Sequence, residues 1–540
     1  MTTESERYDA IVIGSGIGGL TCASLLAQLR GLRVLVLERH WRLGGFTHSF
    51  SRPNAGPWPV GLHYVGQMGD GDPVRAVMDL VTGHRLGWSP MPDPFERFHF
   101  PTFTAEQSSD PGVHLASLTE RWPREADAVV RYFSAVDEAY EYFASRILPR
   151  RSASERPRTS GSQRSFGLAH LTTREALDAA GVQSPELRAV LTAQWGNYGL
   201  PPGRSSFVAH AIVTRHFRNG GWFPSDGSAG LADGARAEIE AAGGACRTAH
   251  EVERVLVERD RAIGVRVRRR HAWKGEHRDY LAPLVISDAG ASTTFRALLP
   301  PDSPGAAEAL RALSPLDEGS SAVQLFVALR DSPASLGARG ENHWMFAGCD
   351  HDVLFERRNG LADGIVATAY LSFPSLKAEA TPHHHTAELV APLDYAPLAP
   401  WKDGVWRRRG REYETVKERI SSALLAFADR HLPGLLPLTE STELGTPLTV
   451  ERFTGHRGGA IYGLAPVPQR FAMQCLDVAT PIRGLLLTGS DVAAAGIVGA
   501  LMGGVATAGY VLGPGGMARV LAAARGRAAF ATRHVAVVAN

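Results

Sequence analysis

The stretch from Tyr8 to Leu26, YDAIVIGSGIGGLTCASLL, constrains the fold more than any other part of this 540-residue chain. Gly14, Gly16 and Gly19 stand at G-x-G-x-x-G spacing. In a chain with 57 glycines that spacing alone decides nothing, so its surroundings must. Ala10 to Ile13 is a short apolar run suited to a strand buried on both faces. Ile17 to Arg30 follows as a helix with Leu20, Ala23, Ala27 and Leu29 on one broad apolar side, and Gly31 can end it. Arg33 to Leu37 reads as a second strand. Glu38 closes it, 24 residues after Gly14, the distance at which an acid reaches a ribose hydroxyl in a βαβ unit. Gly14 allows the tight turn, Gly16 lets backbone approach a pyrophosphate, and Gly19 lets the helix pack close to the sheet. The helix N-terminus offers free N–H groups to the phosphates. The pattern predicts an α/β fold that binds an adenine dinucleotide, with Glu38 repelling a 2′-phosphate and so disfavouring NADP.

Composition narrows the function classes. A net charge of +2 argues against a dedicated nucleic-acid binder. Cys22, Cys246, Cys349 and Cys475 are scattered, with no C-x-x-C, which points to reduced thiols in a cytoplasmic protein. The polar start MTTESERYD enters the first strand directly and does not read as a signal peptide. Val492 to Ala518 carries no charge and is long enough to span a bilayer. Its many Gly and Ala residues leave little apolar bulk, and Gly513-Pro514-Gly515-Gly516 breaks it, so it reads as a buried helix.

Along the chain, helices are expected at Val74–Thr82, Arg121–Leu148, Ser228–Ala242 and Tyr413–Leu432. Strands are expected at Glu251–Glu258, Ala262–Arg268, Leu284–Ser287 and Val323–Leu329. Residues 150–165 lack large apolar side chains and read as a mobile surface loop, whose arginines could also touch lipid head groups. Trp401 to Tyr413, WKDGVWRRRGREY, interleaves arginines with tryptophans; it fits either an anionic membrane surface, at the inner face, or an exposed basic loop. His383-His384-His385 is assigned no metal, because consecutive histidines rarely converge on one ion.

The far end specifies the dinucleotide. Leu485 to Leu487 is a buried strand, Thr488-Gly489-Ser490-Asp491 a turn, and Ala493 onward a helix. A second strand–turn–helix so distant from the first suits FAD, whose ribityl chain and ring extend past one mononucleotide unit; Asp491 can bind the ribityl or pyrophosphate region. The stretches ERHWRLGGFTHSF, GLHYVG, QWGNYGLPP, GGAIYGL and LLLTGSDVAAAGIVGALMGG together resemble the retinol saturase branch of the phytoene desaturase and carotenoid isomerase flavoproteins, from residue 8 to about 513.

That resemblance implies a Rossmann-like, three-layer, GR2-type FAD domain assembled from residues 1–70, 220–297 and 448–520. A mixed α+β substrate domain would be inserted as 71–219 and 298–447. It implies FAD contacts at Gly14, Gly16, Gly18, Gly19, Glu38, Arg39, Gly44 and Gly45. Val252, Gly489, Asp491, Ile497 and Val498 complete the implied set. Asp226-Gly227 replaces the double glycine usual before the Ser228 helix, and Pro59-Val60 replaces a frequent acid before GLHY.

The implied activity is hydride transfer through flavin to or from C=C bonds of a lipophilic conjugated polyene, as a saturase or desaturase. A cis–trans isomerase using reduced flavin is the alternative, and a flavin-free lipid carrier is the alternative of another class. The electron source is left between NAD(P)H and a reductase. Proton-donor candidates are His63, Tyr64, Tyr198 and Tyr462, with Trp195 and Tyr198 also candidates for lining an apolar tunnel.

Overall fold

The computed structural model describes residues 6–53, 55–147, 167–269, 277–300, 302–378, 384–472 and 476–526. The 150–165 loop, His383 and Cys475 lie outside them. The first strand of the parallel sheet, β1 (Ala10–Ile13), is buried at all four positions. Helix α1 spans Ile17–Arg30 and ends at Gly31, whose φ of 65° lets its N–H reach back to the carbonyls of Ala27 and Leu26. Next comes β2 (Val34–Leu37). The chain returns about 190 residues later with α2 (Gly230–Ala241), β3 (Ala245–Arg247) and β4 (Val285–Ser287). It returns again with β5 (Leu485–Leu487) and α3 (Ile497–Val511). The five strands form one parallel sheet in the order β3-β2-β1-β4-β5.

Strand alternation divides the core. Ala10, Val12, Val34 and Val36 face the helical layer with Leu20, Leu231, Ile239, Leu501 and Val505. Ile11, Ile13, Leu35 and Leu37 face the other side, against Val252, Val255, Val265 and Val267 of an antiparallel meander. That meander runs His250–Glu258, Arg261–Arg269 and His277–Leu281, with Glu6–Arg7 at its edge. Helices, parallel sheet and meander are the three layers of the Rossmann-like body.

A seven-stranded mixed sheet builds the other body. Its order is Thr439–Gly445, Ala322–Leu329, His385–Pro392, Thr368–Ser372, Asn342–Phe346, Glu96–His99, Thr104–Gln107. One face, with Leu325, Met345, Leu371 and Leu389, packs on the helix Arg411–His431 through Ile420, Leu424 and Phe427. The other face is turned by register to Glu96, Asn342, Ser372 and Glu388, since Asn342 pairs with Glu96 and Ser372 with Glu388.

Two elements differ from expectation. The helix expected over Arg121–Leu148 starts late, at Ala126, and runs to Ile147, because Pro123 holds Trp122 at φ −123° and ψ 64° and separates it from a preceding helix, Pro111–Arg121. The helix expected from Ala493 starts at Ile497: Gly496, at φ 87° and ψ 174°, breaks helical geometry just before it. No single described helix is long and apolar enough to cross a membrane; Ile497–Val511 and Gly516–Gly526 meet at 118°. Cys22, Cys246 and Cys349 are free thiols.

Candidate active site

The carboxyl ends of β1, β2, β4 and β5 open into a cavity of about 1440 Å³. Its floor is glycine for steric reasons. A Cβ on Gly16 would stand 2.5 Å from Asp288 Oδ2, one on Gly18 would stand 2.4 Å from Gly489 Cα, and one on Gly19 would stand 2.6 Å from Gly14 O. Gly14 itself has φ 95°. Gly44 and Gly45, both at positive φ, fold the segment after β2 over this turn; the Gly44 N–H donates to Ser15 O at 3.0 Å.

Glu38 organises the same turn. Its Oε2 accepts from the Ser15 N–H (3.0 Å) and hydroxyl (2.7 Å), and its Oε1 from the His40 N–H (2.7 Å). Burial still pushes this carboxyl above its ordinary range, against those three bonds. Arg39 pairs with Glu251 at 2.9 Å, beside Val252 at the meander end of the cavity. Asp491 joins three distant segments: Oδ2 accepts from the Ala291 N–H (2.8 Å), Oδ1 from the Leu464 N–H (3.1 Å), and the Arg470 guanidinium lies 3.7 Å away. Ile497 lines the cavity at the start of α3, whereas Val498 and Gly489 stand behind its wall.

Asp288 escaped the sequence reading. It follows β4 directly and faces the amides of Gly16 and Gly19, where burial, then Glu38 and Asp491, push its carboxyl up to about 7. An acid at the carboxyl end of a buried strand was the available signal.

At its other end the cavity meets the seven-stranded sheet through Phe326, Val390, His63 and Tyr462. His63 Nδ1 is 2.8 Å from Oε2 of the fully buried Glu388. The Tyr462 hydroxyl donates to Gly196 O at 2.9 Å. The other candidates lie elsewhere. Tyr64, although next to His63, turns away, stacks on Phe217 at 4.2 Å and accepts from Asn197 Nδ2 at 2.9 Å. Tyr198 is buried with its hydroxyl 3.0 Å from His210 Nδ1. Trp195 sits with it in a closed cluster containing Leu200, Phe355 and Ala465. None of Tyr64, Trp195 and Tyr198 lines the cavity, so the expected apolar tunnel is not built from Trp195 and Tyr198.

The basic stretch is nearer the site than expected. Trp406, Arg407, Arg409 and Tyr413 form part of the cavity wall. Trp406 and Trp41 both pack edge-on against Phe453, with centroids 5.3 and 5.1 Å away. Among the described residues no three His, Cys, Asp or Glu side chains are grouped to hold a metal ion.

The comparisons with known proteins agree with this geometry. A family model described as an NAD(P)-binding Rossmann-like domain matches residues 12–80. All-trans-retinol 13,14-reductase of Danio rerio is 31% identical over 535 residues, covering 94% of this chain and 86% of that protein. The chloroplastic prolycopene isomerase 1 of an Oncidium hybrid cultivar is 26% identical, covering 90% and 81%. Cyclohexylamine oxidase from Brevibacterium oxydans IH-35A superposes with a TM-score of 0.59 at 15% identity, over 96% of this chain and 99% of that one, a likeness of fold. The glycine floor, the Glu38 clamp and a cavity larger than the range usual for one small ligand fit FAD together with a substrate. The chain is an FAD-dependent oxidoreductase and belongs to the family of the all-trans-retinol 13,14-reductases.

Proposed function

We propose that this protein saturates a C=C bond of a lipophilic conjugated polyene of the retinoid or carotenoid class. The observation that carries the reading is one cavity running from the dinucleotide turn at Gly14–Gly18 to an apolar wall, Phe326 and Val390, that also holds the His63–Glu388 pair. In this reading residues 1–70, 220–297 and 448–520 carry the cofactor, and 71–219 and 298–447 the substrate. The turn amides, Gly44 and Gly45 hold the pyrophosphate, Glu38 the ribose, Arg39 and Val252 flank the adenine, and the Asp491 turn with Ile497 meets the ribityl end. Bound FAD, when reduced, supplies a hydride.

His63 supplies the proton. Nδ1 is committed to Glu388, which leaves Nε2 as the donor on the cavity side. Phe326 and Val390 are apolar and offer no proton, so the proton comes from the ionisable side chain beside them. Electrons reach the flavin from NAD(P)H or a reductase. The substrate enters past Trp41, Trp406 and Arg407, where a cytoplasmic protein can touch an anionic membrane surface peripherally.

The isomerase relative keeps cis–trans isomerisation as the second reading. The test is to reduce the purified flavoprotein without oxygen, add a panel of conjugated polyenes and follow the visible spectrum. Flavin reoxidation with a shift of the polyene band to shorter wavelength is expected. A band that changes shape at constant conjugation, without reoxidation, would establish isomerisation. A protein that takes up no FAD would overturn both and leave a lipid carrier.

A further inference from the structure

Behind His63 lies a group of buried polar and ionisable side chains that do not line the cavity. Glu388, Ser372, Asn342 and Glu96 stand on four adjacent strands of the seven-stranded sheet, on one face and in one row, each with 0% exposure. Lys377 lies across this row. Its Nζ donates to Asn342 Oδ1 (2.6 Å), Ser372 Oγ (2.7 Å) and the main-chain oxygen of His63 (2.9 Å). Glu388 takes the His63 ring at Nδ1. Glu96 accepts from Gln194 Nε2 (3.0 Å) and Trp344 Nε1 (2.9 Å), and meets the Tyr64 hydroxyl.

Charge bookkeeping makes the row unusual. Two buried carboxylates face one buried ammonium, which leaves one negative charge uncompensated. Glu341, the remaining nearby acid, has its own partner in Arg97 at 3.4 Å. Tyr64 and Tyr370 are the other titratable groups that face the set, and His343, on the opposite face of its strand, feels the Lys377 charge. An uncompensated charge in such surroundings is strongly disfavoured, so the set retains one additional proton. Burial pushes Glu96 up to about 7 and Lys377 down to about 7, and raises Glu388 as well. The only member of this set that reaches the cavity is His63.

We propose that Glu388, Lys377 and Glu96 form a buried proton-holding set that serves His63: Glu388 orients the ring, Lys377 fixes its main chain, and the set keeps one transferable proton at the cavity wall. These three are positioning residues; His63 alone touches the substrate. The inference rests on the saturase reading. In the step it supports, the C=C π bond breaks. One carbon gains a hydride from the reduced flavin, and its neighbour gains the proton of His63 Nε2. Two electrons leave the flavin, the set is left one proton short, and water reaching His63 restores it.

The experiment uses the flavin-loaded protein, wild type and the variants H63Q, E388Q and K377M. Without substrate, the proton spectrum is searched for a low-field Nδ1–H resonance, expected in wild type and absent in both H63Q and E388Q. Single-turnover oxidation of the reduced proteins is then followed across pH with a polyene and, separately, with oxygen. H63Q is expected to slow the polyene reaction about 100-fold or more while changing the oxygen reaction little. K377M, which removes a positive charge, should carry the polyene pH profile to higher pH. E388Q, which removes a negative one, should carry it to lower pH, each by about one unit. A merely structural role moves neither profile. Unchanged profiles, or shifts in the same direction, overturn the proposal while the saturase reading stands. A wild type that no polyene oxidises overturns the saturase reading, and the proton-holding role with it. If K377M does not fold, the isosteric E388Q decides alone, by its profile and its low-field resonance.

Discussion

Asp288→Asn should make the protein more stable at alkaline pH and leave its acid behaviour nearly unchanged. Asp288 sits in the cavity wall against the amides of Gly16 and Gly19, and its carboxyl is held at about 7 instead of 3.8, first by burial and then by Glu38 and Asp491. An acid raised on folding lends its stability below the unfolded value and loses it as pH rises through the folded one. From pH 5 to pH 7 the native state keeps a proton that the unfolded chain has released, and stability falls by up to 1.36 kcal/mol per unit. Between pH 5 and pH 8 the advantage of D288N should therefore grow by about 2–3 kcal/mol, an upper value because cavity water also reaches the carboxyl. Buried histidines such as His210, held down at about 3 by desolvation, act with the opposite sign and weaken the protein as pH falls below 6.5. They are common to both proteins and cancel in the difference. The assay is urea unfolding of the flavin-free pair at several pH values. A stability difference that is the same at pH 5 and pH 8 would refute the assignment. The pyrophosphate adds negative charge beside Asp288, so wild-type FAD affinity should also fall above neutral pH, and that of D288N should not.

Gly18→Ala puts a Cβ 2.4 Å from Gly489 Cα, where both partners are backbone and neither turn can yield. A loss of about 1–3 kcal/mol is expected in denaturant unfolding, with little flavin retained on purification. Tyr198→Phe removes the bond to His210 in a closed cluster away from the cavity. It should cost about 1 kcal/mol of stability in the same assay and leave flavin reoxidation by polyene at the wild-type rate. Trp344→Phe withdraws the Nε1 donor from Glu96 and leaves a buried carboxylate oxygen short of a partner, for an expected loss of about 1–3 kcal/mol by denaturant midpoint.

Local physics made the nucleotide unit legible. The apolar run, the glycine spacing and Gly31 are consecutive in the chain, and α1 has the bounds its periodicity predicts, Ile17–Arg30. Two of the meander strands, His250–Glu258 and Arg261–Arg269, and β5 were legible for the same reason, since each is a short run whose period declares it. The break at Pro123 and the late start of α3 at Ile497 were matters of a single residue's dihedral angles, which hydrophobic periodicity does not weigh.

The site was only half legible. Gly14, Gly16, Gly19 and Glu38 carry their roles in a spacing, and the far-end turn carries Asp491 in a second one. Their neighbours do not. Asp288 has no motif, and it matters because β4 inserts between β1 and β5 and brings its carboxyl under the glycine turn. His63 is 325 residues from Glu388, and only the seven-stranded register brings Glu388, Ser372, Asn342 and Glu96 into one row under Lys377. A strand's alternation states which of its residues share a face, but not which strand will lie beside it, because pairing is settled by packing over the whole chain. The amino-acid sequence by itself therefore determined the cofactor-binding unit and the family. Tertiary structure alone decided which tyrosines leave the cavity, which acid crowds the phosphate turn and which buried charges stand behind His63, since each depends on contacts between segments that no local pattern connects.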